Sequence, residues 1–228
     1  MNNHIKALKS CLAALALAGS ALSSQAQVDV TVDPGASWQG YMNVFELPSN
    51  GGAYVFGSPW GTGDLVANFS GPVLTLSPNT IGDPNPFWYT PSGGPGAAGN
   101  KIMEANMYVQ NDGGWAGQTV SFSGTVLANS FTSAHSTVAF IRDFAPDFSS
   151  FNVTSIALGG PGDFTISLAT INDPARHVQY GFTTTGVNVW VTDVGSFGNL
   201  QVTAIPEPST FALAGLGLAA LLVLRRRR

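Results

Sequence analysis

The stretch Thr119-Val120-Ser121-Phe122-Ser123-Gly124-Thr125-Val126-Leu127 (TVSFSGTVL) alternates apolar and polar residues. Successive side chains of an extended strand point to opposite faces. Val120, Phe122 and Val126 therefore share one side, and Ser121, Ser123 and Thr125 share the other. One face is made for a core and the other for water, the signature of a half-buried antiparallel strand. Working outward in both directions, the same two-residue period recurs between turns of Gly, Pro, Asn, Asp and Ser. It predicts strands over Val28–Val32, Gly40–Leu47, Gly52–Phe56, Leu65–Phe69, Val73–Leu76 and Ile102–Gln110. Further strands are predicted over Thr137–Asp143, Asn152–Leu158, Asp163–Leu168, Val178–Thr183, Val187–Thr192 and Leu200–Ala204. Short strands parted by turn chemistry imply an all-β fold of two packed antiparallel sheets, a jelly-roll or lectin-like sandwich.

The 27 glycines and 14 prolines exceed the usual share without reaching the range of disordered chains. Neither a helical period nor an internal repeat is evident in this part. Five prolines, with Phe87-Trp88-Tyr89, lie between Ser77 and Asn100, the longest turn-rich stretch. Connections of such length are usually functional. Residues 27–205 carry twelve acidic against three basic side chains (Lys101, Arg142, Arg176), a net −9 that the whole-chain −4 conceals. That charge argues against nucleic acid, whose phosphates it repels. It leaves calcium binding at loops open, with no other cofactor and no metal-ligand set in view. The single cysteine, Cys11, precedes this region, so neither a disulfide nor thiol chemistry is available to it.

Both ends read as delivery segments. Lys6 and Lys9 precede an uncharged apolar run, Cys11–Leu22, and Ser24-Gln25-Ala26 supplies a small–x–small exit site. This order is that of a signal peptide over residues 1–26, a helix cut by signal peptidase between Ala26 and Gln27. Leu8-Lys9-Ser10 before the cysteine lacks a lipobox, so no lipid anchor is expected. At the other end, Ile205-Pro206-Glu207-Pro208-Ser209-Thr210 leads into an uncharged segment, Phe211–Leu224, and then Arg225 to Arg228. Fourteen helical residues reach ~21 Å against a hydrocarbon core of roughly 30 Å. Four terminal arginines cannot be buried unpaired and suit a cytoplasmic end, and snorkelling with local thinning absorbs the mismatch. A short transmembrane helix is therefore expected.

Pro206-Glu207-Pro208, the short apolar helix and the arginine end, in that order, resemble the PEP-CTERM sorting signal of Gram-negative bacteria, here over residues 205–228. The resemblance implies an exosortase acting near Pro206-Glu207-Pro208, in bacteria that often make exopolysaccharide. It implies export across the inner membrane to the envelope, cell surface or extracellular matrix, with the membrane engaged through the tail before processing. Residues 27–204 then form the β-sandwich ectodomain. Within it, Ala116–Val126 (AGQTVSFSGTV) and Val138–Phe148 (VAFIRDFAPDF) resemble segments of PEP-CTERM secreted proteins with lectin-like sandwiches.

Catalytic chemistry is sparse. His135 sits in the polar turn FTSAHST and reads as solvated, and His177 reads as a loop residue at a strand entrance. Arg142, Asp143 and Asp147 are the charges of most interest. Two carboxylates could serve glycoside hydrolysis, but Phe144-Ala145-Pro146 between them disfavours a shared face. The simpler expectation is that Arg142 pairs with a nearby carboxylate at a sheet end. No catalytic residue is assigned, and a non-enzymatic protein is expected. Exposed aromatic rings can stack on the C–H face of a sugar. Trp60 (SPWGTGD), Trp88 (PFWYT) and Trp115 (DGGWAGQ) lie in Gly- or Pro-rich turns and are the glycan-binding candidates, whereas Trp190 reads as core or half-buried in a sheet. The expected function is that of a polysaccharide-associated surface sandwich. The alternative is a structural or adhesive surface protein with no small-molecule site.

Overall fold

The computed structural model describes residues 26–205. The expected signal helix, the motif Pro206-Glu207-Pro208 and the expected transmembrane helix lie outside the described residues. Among the described residues no helix is long and apolar enough to cross a membrane. In chain order the strands are β1 (Gln27–Thr31), β2 (Gln39–Glu46), β3 (Tyr54–Pro59), β4 (Ala67–Ser70), β5 (Val73–Leu76), β6 (Tyr89–Thr90) and β7 (Ala98–Gly99). They continue with β8 (Lys101–Asp112), β9 (Thr119–Asn129), β10 (His135–Phe144), β11 (Phe151–Ala157), β12 (Gly162–Ala169), β13 (His177–Val187) and β14 (Leu200–Thr203). One sheet has the order β12-β9-β14-β5-β4, with β1 also on β9; the second has the order β11-β10-β13-β8-β2-β3. From β8 onward the chain changes sheet at every step except β10 to β11.

The strand that opened the reading sits where its pattern requires. Val120 and Phe122 are wholly buried and Val126 nearly so. Gly124 interrupts the apolar face for a packing reason. It lies opposite Phe164 of β12, and a Cβ there would come within 2.8 Å of the Phe164 ring and 2.9 Å of Val32. The neighbouring strand thus supplies the ring that this position omits. On the opposite face Ser121 is covered by the Ser167 hydroxyl at 3.1 Å, and Thr125 donates to Asp163 at 2.6 Å. Between the sheets, Phe122 meets Tyr180 and Phe182 of β13 at ring separations of 4.9 and 5.4 Å. Met42 and Val44, Met103 and Met107, and Leu74, Leu200 and Val202 complete one core drawn from both sheets.

Two expectations are corrected. The pairing is not antiparallel throughout: β1 runs parallel to β9, from Gln27 opposite Thr119 to Thr31 opposite Ser123. The four-residue β14 covers only Thr125 to Asn129 of β9. That leaves the earlier residues on this edge with unmet backbone groups, which β1 satisfies. Ala26 and Gln27, the predicted cleavage residues, are exposed where β1 begins. The second correction concerns Val187–Thr192, which is not a strand. Instead β13 continues through Thr183-Thr184-Thr185 to Val187, and the chain then leaves the ladder. The cause is Asn188, whose Oδ1 accepts from the Lys101 amide at 3.0 Å and whose Nδ2 donates to the Trp88 carbonyl at 2.8 Å. The Ser77–Asn100 stretch also proves well packed. It contains β6 and β7, and buried Tyr89 donates its hydroxyl proton to the Ile81 carbonyl at 2.8 Å.

Candidate functional site

The outward face of the second sheet carries a hollow of about 610 Å³, within the usual range for ligand sites. Strand register builds it row by row. In β8, Met103, Ala105 and Met107 turn inward to the core, so Glu104, Asn106, Tyr108 and Gln110 turn outward. Register then places Tyr41 of β2 beside Asn106, and Gln179 of β13 between Gln110 and Arg142 of β10. Gly181 stands between Tyr108 and Phe140, deepening the middle of the face. A Cβ at Gly181 would run into the Met107 carbonyl. Phe144, Phe148 and Phe151 form the far rim.

The floor is a hydrogen-bonded polar network. Asn43 donates to Glu104 at 2.9 Å, and Gln179 donates to Gln110 at 2.7 Å. Arg142 donates through Nη1 to Asn106 Oδ1 at 2.9 Å and through Nη2 to Thr183 Oγ1 at 3.2 Å. Its guanidinium lies 3.9 Å from the centre of the Phe140 ring, a cation–π arrangement. Burial pulls the Arg142 pKa below its ordinary value, with Glu104 acting in the opposite direction. Burial likewise raises the Tyr108 hydroxyl, and neighbouring Tyr41 adds to the effect.

At the rim, Phe148 adopts a left-handed φ of 58°, rare for a bulky residue and costly by about 1–3 kcal/mol. That conformation lays its ring on the His177 imidazole, 4.3 Å between centroids and 7° from parallel. His177 Nδ1 is 2.6 Å from Asp112, and its hydrogen bond holds the Asp112 carboxyl below the usual range. His177 is therefore the first residue of β13 and a support for the rim.

The other charged candidates disperse. Asp143 points away from the hollow and is wholly buried, taking Arg176 Nε at 2.8 Å and the Ile171 amide at 2.8 Å. Asp147 is exposed and bonds to Ser149. Among the described residues no carboxylate stands at ion-pair distance from Arg142: Glu104 acts on it from across Asn106, and the adjacent aspartate faces the opposite side of β10. His135 is not solvated: it is 7% exposed, between Phe131 and Phe197, because Gly186 opposite leaves it room. Its Nε2 lies 2.9 Å from the Val187 carbonyl, which can only accept, so Nε2 carries the proton. Nδ1 is buried with no partner.

Protonating Nδ1 would bury an N–H without an acceptor, consistent with a His135 pKa lowered first by burial. The unfolded chain therefore binds more protons than the folded one below the ordinary histidine value, about 6.5. Stability should be full above that pH and fall as pH drops through it. His135→Gln should flatten the dependence of the urea midpoint between about pH 5 and pH 7. An unchanged slope in that variant would assign the dependence to another group.

The three turn tryptophans are not brought together. Trp88 lies by the start of β8, its carbonyl accepting from the Asn100 amide at 2.9 Å, whereas Trp115 follows the end of β8. β8 alone separates them by on the order of 30 Å. Trp60 donates its amide to Gly40 at 3.0 Å and its indole N–H to Ser58 at 2.8 Å, beside a separate hollow of about 550 Å³. All three are partly buried and packed against the core, as is Trp38. Trp190 is also partly buried, edge-on to Tyr89 at 5.3 Å. The residues of the hollow that sequence reading passed over are Tyr41, Tyr108 and the amides. For Asn106, Tyr108 and Gln110 the signal was present in KIMEANMYVQND, where three successive outward positions between Glu104 and Asp112 hold uncharged Asn, Tyr and Gln. Among the described residues, no three His, Cys, Asp or Glu side chains converge as a metal site.

The family model for the PEP-CTERM protein-sorting motif matches residues 204–228. The motif implies an exported protein of the bacterial cell envelope or surface, processed by an exosortase. No curated protein and no solved structure matches the chain.

Proposed function

We propose that residues 27–204 form a non-enzymatic jelly-roll module that holds extracellular polysaccharide at the surface of a Gram-negative cell. Signal peptidase and an exosortase would deliver it. The jelly-roll reading rests on strand order, since β5-β14-β9-β12 facing β8-β13-β10-β11 follows the double Greek-key path. One observation carries the binding reading: the 610 Å³ hollow combines two tyrosine rings with a floor of side-chain amides. Rings offer stacking to the apolar face of a sugar, and amides both donate to and accept from its hydroxyls. On this reading binding occurs on the sheet face. The turn tryptophans then serve packing.

Retention of the full chain, in mild detergent, on gels containing bacterial exopolysaccharides tests this. Tyr41→Ala and Tyr108→Ala should each weaken retention by about tenfold or more, as aromatic anchors do. Each should shift Tm by less than about 4 °C. Trp60→Ala, Trp88→Ala and Trp115→Ala should do the reverse, lowering Tm and leaving retention alone. Wild-type retention in both tyrosine variants removes the reading, as does an unaltered chain that no polysaccharide retards.

A second reading, adhesion without a small-molecule site, rests on β11. This edge strand exposes Phe151, Val153 and Ile156 by 40–49%, and an open apolar edge is a template for pairing with another chain. Concentration-dependent association together with no glycan retention would favour it.

A further inference from the structure

We infer that the hollow is built for an acidic sugar, with Arg142 as the residue that takes its carboxylate; this rests on the polysaccharide reading and narrows it. The described region has three Lys or Arg side chains, and two are neutralised within the fold. Lys101 reaches Glu46 at 3.0 Å and Arg176 reaches Asp143 at 2.8 Å. Arg142 reaches no carboxylate, only the neutral oxygens of Asn106 and Thr183. Its Nε is buried without a partner. A guanidinium offers five N–H groups, and the two bonds made here leave donors on both terminal nitrogens. Buried cations are ordinarily paired, and a half-satisfied one stands out as needing an explanation.

The surroundings specify the missing partner. The guanidinium carbon lies 3.9 Å from the Phe140 ring centroid and 5.7 Å from that of Phe151. Phe148 and Phe151 are 48% and 49% exposed, large rings half-open to solvent at the edge of a polar floor. A pyranose resting on that rim presents apolar C–H groups to the rings, while a carboxylate on it reaches the arginine. A neutral hexose could use the rings and amides but would leave the cation unpaired. A guanidinium–carboxylate hydrogen bond is charge-assisted and about twice as strong as a neutral one. Exclusion of water by the rim strengthens the pair further. Glu104 lies across the floor, engaged by Asn43 and Asn106, so the acid approaches from the β10–β11 side. The net −9 of the region opposes a polyanion at long range, but charges beyond ~8 Å are screened at about 0.15 M salt. Recognition therefore depends on contact.

The test uses the full chain in mild detergent at about 0.15 M salt. The probes are hexamers of galacturonate and of mannuronate, each beside its methyl ester, which keeps the ring and masks the charge. In at least one pair the acid should bind about tenfold or more tightly than the ester, the scale of a charge-assisted hydrogen bond. Arg142→Gln should bring the acid to the level of the ester and change ester binding by less than about twofold. The acid–ester comparison is made on the unaltered chain, so it stands even where R142Q fails to fold. Equal binding of acid and ester overturns the inference and leaves the polysaccharide reading intact. So does binding of neutral glycans alone. An acid preference that survives in a folded R142Q chain removes Arg142 from the role. Failure to bind any acidic or neutral glycan ends both readings.

Discussion

Replacing Asp143 by alanine is expected to lower folding stability by about 3–5 kcal/mol, the cost of leaving one member of a buried ion pair alone. The Asp143 side chain is wholly buried and that of Arg176 is 12% exposed, with 2.8 Å between them. Arg176 also donates through Nη2 to the Asp143 carbonyl at 2.7 Å, and the second carboxylate oxygen takes the Ile171 amide. The pair thereby clamps the connection between β12 and β13 against β10. Alanine would strand the guanidinium and the amide together, and water has little access to either. Asp143→Asn keeps an acceptor for Ile171 and should lose less. A domain of this size has about 5–15 kcal/mol in total, so the alanine chain would stand near its unfolding threshold. Urea denaturation measures this through the transition midpoint. A shift equivalent to less than about 1 kcal/mol would show that the clamp adds little beyond its backbone bonds.

Phe122→Ala should cost a similar amount, about 3–5 kcal/mol, through a different cause. Here no charge is stranded, and the loss comes from transfer and from the cavity left behind. Phe122 lies in the layer between the sheets, edge-on to Phe164 at 5.4 Å and Phe182 at 5.4 Å and tilted against Tyr180 at 4.9 Å. These rings come from two strands, β12 and β13, one in each sheet, so no single side chain can move in to fill the gap. Phe122→Leu retains much of the volume and should lose markedly less. Equal midpoints for the alanine and leucine variants would mean that the core closes around the missing ring. That result would contradict the packing described above. Neither substitution touches the hollow, so a small residual folded fraction should retain its ligand preference.

Sequence alone determined what depends on near neighbours. A period of two in TVSFSGTVL sets which side chains face the core, because successive residues of any strand point opposite ways. The same rule outlined most strands, and an all-β fold follows from it. The sorting motif is likewise local, being three features in order over one short segment. What tertiary structure alone decided involves partners distant in the chain. Thr184-Thr185-Gly186 falls between two predicted strands, but β8 and β10 flank it on both sides and carry β13 through it. Val187–Thr192 alternates well but leaves the ladder because Asn188 binds Lys101 and Trp88, some 90 to 100 residues away. His135 looks solvated until Gly186, fifty-one positions on, opens a place for it. Arg142 reads as pairing with a nearby carboxylate at a sheet end, yet adjacent residues of a strand face opposite ways, which takes Asp143 beside it to the other side. Asp143 thus went to Arg176 and the core, and Arg142 to the open face. The hollow exists only through register, which lines up Tyr41, Asn106 and Thr183 from three separate strands. Alternation says which face a residue takes; only cross-strand pairing says who stands next to it.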